Sequence, residues 1–220
     1  MLMLANVEKT YQSGSRTLSV LSEITLELPP RSTSAVIGPS GSGKTTLLGL
    51  CAGLDRPTKG RINCCDVDLG SQTDEQLAAL RRQHVGFIFQ SFRLIPSLTA
   101  LENVMIPAEL QGSTDAKKRA HELLHEVGLA ERHSHYPSQL SGGEQQRVAV
   151  ARAFIHHPKI IFADEPTGNL DDETGQRVLD LLFELNRTQG TTLVVVTHDH
   201  ALTDRVDTIV RLRGGRIQTA

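Results

Sequence analysis

Gly38-Pro39-Ser40-Gly41-Ser42-Gly43-Lys44-Thr45 is a glycine-rich loop of the pattern G-x-x-x-x-G-K-[ST]. Its surroundings fit the pattern. Ser34 to Gly38 reads as a short apolar strand, and Thr45 to Leu54 reads as a helix. Glycines allow consecutive backbone N–H groups to turn inward around a β-phosphate. Lys44 reaches the β- and γ-phosphates, and the Thr45 hydroxyl suits a place on Mg²⁺. The helix that follows aims its positive end at the anion. Gly38, Pro39, Ser40, Gly41, Ser42, Gly43, Lys44, Thr45 and Thr46 are therefore the candidate nucleotide-binding residues. The alternative is a glycine-rich turn that binds nothing, and the strand before it and helix after it argue against that.

Outward from this loop, short β-branched runs alternate with helical patterns. Val85 to Gln90, Lys159 to Asp164 and Leu193 to His198 read as further strands, the last two nearly continuous in apolar residues. Such runs are expected where both faces of a parallel sheet are covered. Helical patterns follow Gly142 (to Ile155) and Glu173 (to Asn186), the latter with Val178, Leu179, Leu182 and Leu185 on one face. The fold class is α/β with a mainly parallel sheet. Met1 to Tyr11 and Glu23 to Leu28 alternate like antiparallel strands and predict a β subdomain on the N-terminal side. Thr208 to Leu212 and Arg216 to Thr219 flank Gly214-Gly215, a hairpin signal. Residues 91–157 are helical and polar, with breaks expected at Pro96, Pro107 and Pro137. They read as a helical insertion into a catalytic core of residues 1–90 and 158–220.

Composition narrows the class. The chain has 220 residues, 39% hydrophobic and 22% charged, with a formal net charge of −2. That balance disfavours a nucleic-acid binder, which carries a basic excess or stripe. No apolar run approaches the roughly 20 residues that span a bilayer, and the apolar start Met1-Leu2-Met3-Leu4 is too short for a signal peptide. A cytoplasmic chain is expected. Cys51, Cys64 and Cys65 have no second pair with zinc-site spacing and read as small buried hydrophobes.

Two further motifs carry chemistry. Asp164-Glu165 closes a buried strand, where unpaired carboxylates are costly. Neighbours on a strand point to opposite faces, so two roles are expected: Asp164 on Mg²⁺, and Glu165 as general base or water-positioner. An acidic cap on the next turn is the alternative. Leu140-Ser141-Gly142-Gly143-Glu144-Gln145 fits a capping box, with Ser141 at N-cap and Glu144 at N3. By itself this is a well-capped helix start. Yet each glycine costs about 1 kcal/mol of helix stability and leaves N–H groups open to an anion, so a second phosphate cradle is the sharper reading.

The run LSGGEQQRVAVARA resembles the signature of the ATP-binding cassette (ABC) family. The resemblance covers essentially the whole chain. It implies a P-loop NTPase (RecA-like) core, ATP and Mg²⁺ as cofactors, and hydrolysis of ATP. It also implies that Ser141, Gly142, Gly143 and Glu144 cover the γ-phosphate of ATP held by a second copy, in a head-to-tail homodimer. Gln90 matches the Q-loop glutamine, which senses Mg²⁺ and the attacking water. Asn169-Leu170-Asp171 matches the D-loop, although Asn169 departs from the commoner small residue. His198 matches the switch histidine, and Tyr11 falls where an aromatic residue stacks on adenine. On its own Tyr11 reads equally as a strand-edge residue, and His198 as a hydrogen-bonded imidazole. His198 and His200 lack a nearby third ligand for a metal.

Within the family, HVGFIFQSFRLIPSLTALENVMIPAEL and FADEPTGNLDDETG are similar to the subgroup of LolD-, MacB- and YbbA-type cassettes, most of all the YbbA type. That likeness implies a separate MacB/FtsX-like membrane permease, and peripheral attachment to the inner membrane through it. Arg93 to Leu110 divides between subdomain core and a groove for a permease helix. A soluble ABC ATPase acting on nucleic acid or ribosomes is the competing reading; the absence of a second cassette, a long coiled coil or a basic stripe disfavours it.

Overall fold

The computed structural model describes every residue except Ser15, Asp199, Thr219 and Ala220. In chain order the elements are β1 (Leu2–Ser13), β2 (Arg16–Leu28), β3 (Thr33–Ile37), α1 (Lys44–Cys51), β4 (Lys59–Cys64), β5 (Val67–Asp68), α2 (Asp74–His84) and β6 (Val85–Phe89). They continue with α3 (Ala100–Leu110), α4 (Ala116–Glu126), α5 (Gly142–Phe154), β7 (Ile160–Asp164), α6 (Asp172–Gln189), β8 (Thr192–Thr197), β9 (Thr208–Arg213) and β10 (Arg216–Gln218). The chain divides into two units, residues 1–81 with 192–220, and residues 82–191.

The first unit holds two sheets' worth of strands. β3 lies between β8 and β9, parallel to both, and β10 folds back antiparallel on β9. All six residues of β8 are buried, as its unbroken apolar run requires. The remaining strands form an antiparallel sheet in the order β2-β1-β4-β5. The expected N-terminal β subdomain is present, and β2 starts earlier than the alternating pattern from Glu23 indicated. β4 and β5 were not among the expected strands, although Arg61-Ile62-Asn63-Cys64 alternates polar and apolar. Cys51, Cys64 and Cys65 are all buried free thiols, and burial pushes the Cys51 thiol up to about 12.

In the second unit β6 and β7 run parallel, and α3, α4 and α5 pack together. Pro107 does not break the chain: it sits inside α3. A proline there removes one helical N–H, the one that would bond the carbonyl of Asn103. The helix survives because Asn103 anchors it independently. This residue is wholly buried; its Nδ2 donates to the carbonyls of Ile95, Leu98 and Thr99, and its Oδ1 accepts from the Ile95 N–H. Thr99 and Glu102 add a reciprocal capping box. Ala100, Asn103, Val104 and Ala108 are buried, while Ile95 and Leu110 are exposed.

Helix α5 lies close on β6 because Gly86 has no side chain. A methyl group there would stand 2.5 Å from the Ala153 carbonyl oxygen and 2.9 Å from Ile161 Cγ1. Overpacking of this kind costs roughly 1–3 kcal/mol. Gly86→Ala is therefore expected to lower the urea midpoint by that equivalent. An unchanged midpoint would mean that the contact yields.

Candidate functional site

The glycine loop occupies residues 38–45 of the first unit, between β3 and α1. Lys44 is buried, and its Nζ donates to the carbonyls of Gly38 at 2.8 Å and Pro39 at 3.2 Å. Gly41 and Gly43 take left-handed backbone conformations, φ 76° and 100°, which favour glycine. Gly38 is glycine for a different reason. A Cβ there would meet the Leu212 carbonyl oxygen of β9 at 2.1 Å. Gly43 is crowded as well, by Leu21 Cδ2 at 2.8 Å and the Val20 carbonyl oxygen at 3.0 Å. The β9–β10 turn supports the loop from behind, with the Gly215 N–H donating to the Ser42 carbonyl and the Ser22 N–H donating to the Gly215 carbonyl.

The loop fits a phosphate on three observations. Helix α1 starts after Gly43 with no side-chain hydrogen bond at its N-cap, and a helix N-terminus favours an anion. The Ser42 hydroxyl is buried with no hydrogen-bond partner, which a bound oxyanion would satisfy. Gly41 has open space where a side chain would stand. Thr45 is exposed and Thr46 half-buried.

Tyr11 lies on β1, 40% exposed. Its hydroxyl donates to Asp55 Oδ2 at 2.7 Å, and the Lys9 ammonium stands 4.7 Å from the ring centroid. Lys9 itself pairs with Asp55 Oδ1 at 2.7 Å and donates to the Arg56 carbonyl. Burial, and then the Asp55 carboxylate, push the Tyr11 phenol above its usual value. The ring is thus fixed at its polar end with aromatic surface left over. His198 follows β8 directly and is exposed. The other half of its motif, Asp199, lies outside the described residues, as does Thr219 of the expected hairpin.

The second unit carries the acidic pair and the signature. Asp164 ends β7, but Glu165 is not a strand residue. Its φ is 46°, a left-handed conformation uncommon outside glycine. The alternation argument therefore fails: a backbone reversal, not the strand pleat, separates the two carboxylates. Strain of this kind persists only where neighbours fix it. Here the Glu165 carbonyl accepts from the Gly168 N–H at 3.0 Å, and the next carbonyl, of Pro166, accepts from buried Gln146 Nε2 at 2.6 Å.

The signature forms the capping box its sequence predicts. Ser141 Oγ accepts from the Glu144 N–H, and Glu144 Oε2 accepts from the Ser141 N–H at 2.8 Å. The Ser141 N–H, with help from Arg132, holds the Glu144 carboxyl below the usual carboxylate range. Arg132 Nε donates to Glu144 Oε1 at 3.1 Å. Ser141 is exposed and Gly142 half-buried. Gly143 is buried, and a Cβ on it would meet Thr174 Cγ2 at 2.4 Å. Its bare backbone makes room for α6 in the same chain, a packing reason for glycine at this position. Asp171 caps α6 by accepting from the Thr174 N–H at 3.0 Å, which holds its carboxyl below the usual range.

Sequence reasoning missed several supporting residues. Gln146 sits at the Glu165 turn, a polar side chain on the buried face of α5. Arg152 Nη1 and Nη2 donate to the carbonyls of Arg93 and Phe92. Gln90 and Asn169 are brought together. Among the described residues, no group of three His, Cys, Asp or Glu could hold a metal ion, and no helix is long and apolar enough to cross a membrane.

Comparison with known proteins agrees with this geometry. The ABC transporter family model matches residues 21–168. The uncharacterized ABC transporter ATP-binding protein YbbA of Escherichia coli (strain K12) is 50% identical over 215 residues, covering 97% of this chain and 94% of that protein. The lipoprotein-releasing system ATP-binding protein LolD of Legionella pneumophila (strain Paris) is 47% identical over 211 residues, covering 95% and 93%. Among solved structures, the dimeric ATP-binding cassette MJ0796 in a post-hydrolysis state with ADP and Pi superimposes with a TM-score of 0.92 at 41% identity, covering 100% of this chain and 97% of that one. Matched by the family model over most of its length and by relatives over nearly all of it, this protein belongs to the ABC transporter family, as an ATP-binding and ATP-hydrolysing subunit.

Proposed function

We propose that this chain drives a MacB/FtsX-like permease through cycles of ATP-dependent dimerisation, as the likeness to YbbA and LolD favours. It sits at the cytoplasmic face of the inner membrane and is attached through the permease. Residues 1–90 with 158–220 act as the catalytic core, and residues 91–157 as the helical signature subdomain. The permease contacts residues 91–110, where Ile95 and Leu110 are exposed; exposed apolar side chains of this kind suit a partner helix.

ATP is held by residues 38–46, with Lys44 on its phosphates and Tyr11 against adenine. Thr45, Gln90 and Asp164 supply hydroxyl, carboxamide and carboxylate oxygens, the hard donor set that Mg²⁺ takes alongside phosphate and water. When bound there, Mg²⁺ neutralises charge on the β- and γ-phosphates. Glu165 orients and polarises the attacking water, and His198 contacts the γ-phosphate. Ser141, Gly142, Gly143, Glu144 and Asp171 serve the nucleotide of the second copy. One observation carries this reading. Ser141 is exposed while both capping bonds are made inside its own chain, so it is held still and remains open to another molecule. Closure depends on contacts to the γ-phosphate, so ADP does not support it.

Two variants test the scheme. Glu165→Gln is expected to keep ATP binding, lose turnover by about 10²–10⁴-fold, and accumulate as a dimer in light scattering at saturating Mg-ATP. A variant that stays monomeric there would sink the sandwich model for the isolated chain. Ser141→Arg is expected to leave ATP binding intact in equilibrium titration and abolish hydrolysis. Loss of ATP binding instead would put the signature at its own chain's nucleotide.

A further inference from the structure

Asn169 occupies a place where a small side chain would suffice for a turn, and the structure gives its carboxamide two bonds to one residue 79 positions away. Asn169 Nδ2 donates to the backbone carbonyl of Gln90 at 2.9 Å. Asn169 Oδ1 accepts from Gln90 Nε2 at 3.3 Å. Because the Asn169 donor is committed to the backbone carbonyl, its oxygen is what faces the Gln90 side chain. An acceptor there requires the NH₂ end of Gln90, and the planarity of the carboxamide then fixes the direction of Gln90 Oε1.

The neighbouring glycine completes the arrangement. A Cβ on Gly168 would lie 2.7 Å from Gln90 Nε2, 3.2 Å from Cδ and 3.3 Å from Cγ. The Gln90 side chain therefore lies across Gly168. That glycine is not left-handed, so it is glycine to make room. The turn itself is closed by the Gly168 N–H on the Glu165 carbonyl and by the Leu170 N–H on the Thr167 carbonyl, both at 3.0 Å. Beyond Gln90 the chain passes through two left-handed residues, Phe92 (φ 59°) and Arg93 (φ 48°). Their carbonyls are gripped by the guanidinium of Arg152. The segment 90–93 is thus tied at one end to the turn bearing Glu165 and at the other to the signature helix α5.

We infer that Asn169 is a positioning residue for Gln90: it sets the rotational state of the Gln90 carboxamide and presents Oε1 as a ready oxygen ligand or acceptor. A glutamine amide without such a partner divides its time between two orientations, one of which offers NH₂ where an oxygen is needed. The proposal builds on the role given above to Gln90 at Mg²⁺, and its test separates the two.

The experiment compares the native chain with Asn169→Ala, Asn169→Asp and Gln90→Ala. In Asn169→Ala, the side-chain NH₂ resonances of Gln90, assigned by their loss in Gln90→Ala, are expected to shift, and amide exchange across residues 90–93 to quicken. The Mg²⁺ concentration for half-maximal ATPase is expected to rise about three- to tenfold, in keeping with the loss of one or two side-chain hydrogen bonds, while metal-free ATP binding stays the same. Asn169→Asp keeps the acceptor and is expected to retain more of the native signal than alanine does. Unchanged Gln90 resonances and an unchanged Mg²⁺ requirement in Asn169→Ala would overturn the proposal. If the resonances shift but Gln90→Ala hydrolyses ATP normally, the positioning stands and the metal role of Gln90 falls.

Discussion

A lysine ammonium with almost no access to water shapes the nucleotide loop. Lys44 is only 8% exposed, and a buried charge without partners costs several kcal/mol. The carbonyls of Gly38 and Pro39 answer that charge. The loop is moulded around its own lysine. Leu212 of β9 fills the space beside Gly38, and the Gly215 turn holds the Ser42 carbonyl. The C-terminal hairpin is thereby part of the glycine loop's support.

The second unit works by a related rule. Its reactive turns are held by long polar side chains that bond to backbone carbonyls. Gln146 holds Pro166, Arg152 holds Phe92 and Arg93, and Asn103 holds Ile95, Leu98 and Thr99. Two of these three project from α5, the helix whose first turn is the signature. A buried donor that loses its partner costs about 1–3 kcal/mol, so each bond discriminates against misplaced turns. The left-handed backbone at Glu165, Phe92 and Arg93 is stable only under such constraint. Movement of α5 would therefore be felt at Glu165 and beyond Gln90 together.

Much of this was legible because the relevant physics is local. The capping box at Ser141, the apolar runs of β7 and β8, and the glycine loop are each written in residues within a few positions of one another. What escaped depended on contacts between distant segments. Glu165 lies one residue beyond a strand whose period gives no warning of a left-handed turn. Pro107 is a strong helix breaker by composition, yet Asn103 ties its helix to the preceding turn and Thr99 caps it. Asn169 looked like a harmless departure from a small residue, since nothing in a linear reading places it beside Gln90.

The glycines show how one residue type records several different constraints. Gly41 and Gly43 answer to backbone conformation. Gly38, Gly86, Gly143 and Gly168 answer to occupied space, filled respectively by the Leu212 carbonyl, the Ala153 carbonyl, the Thr174 methyl and the Gln90 carboxamide. At Gly143 the Thr174 contact accounts for the missing side chain. The same contact seats α6 on α5, and Asp171 fixes the α6 end by capping Thr174. The first turns of α5 and α6 therefore form a single packed corner within the chain.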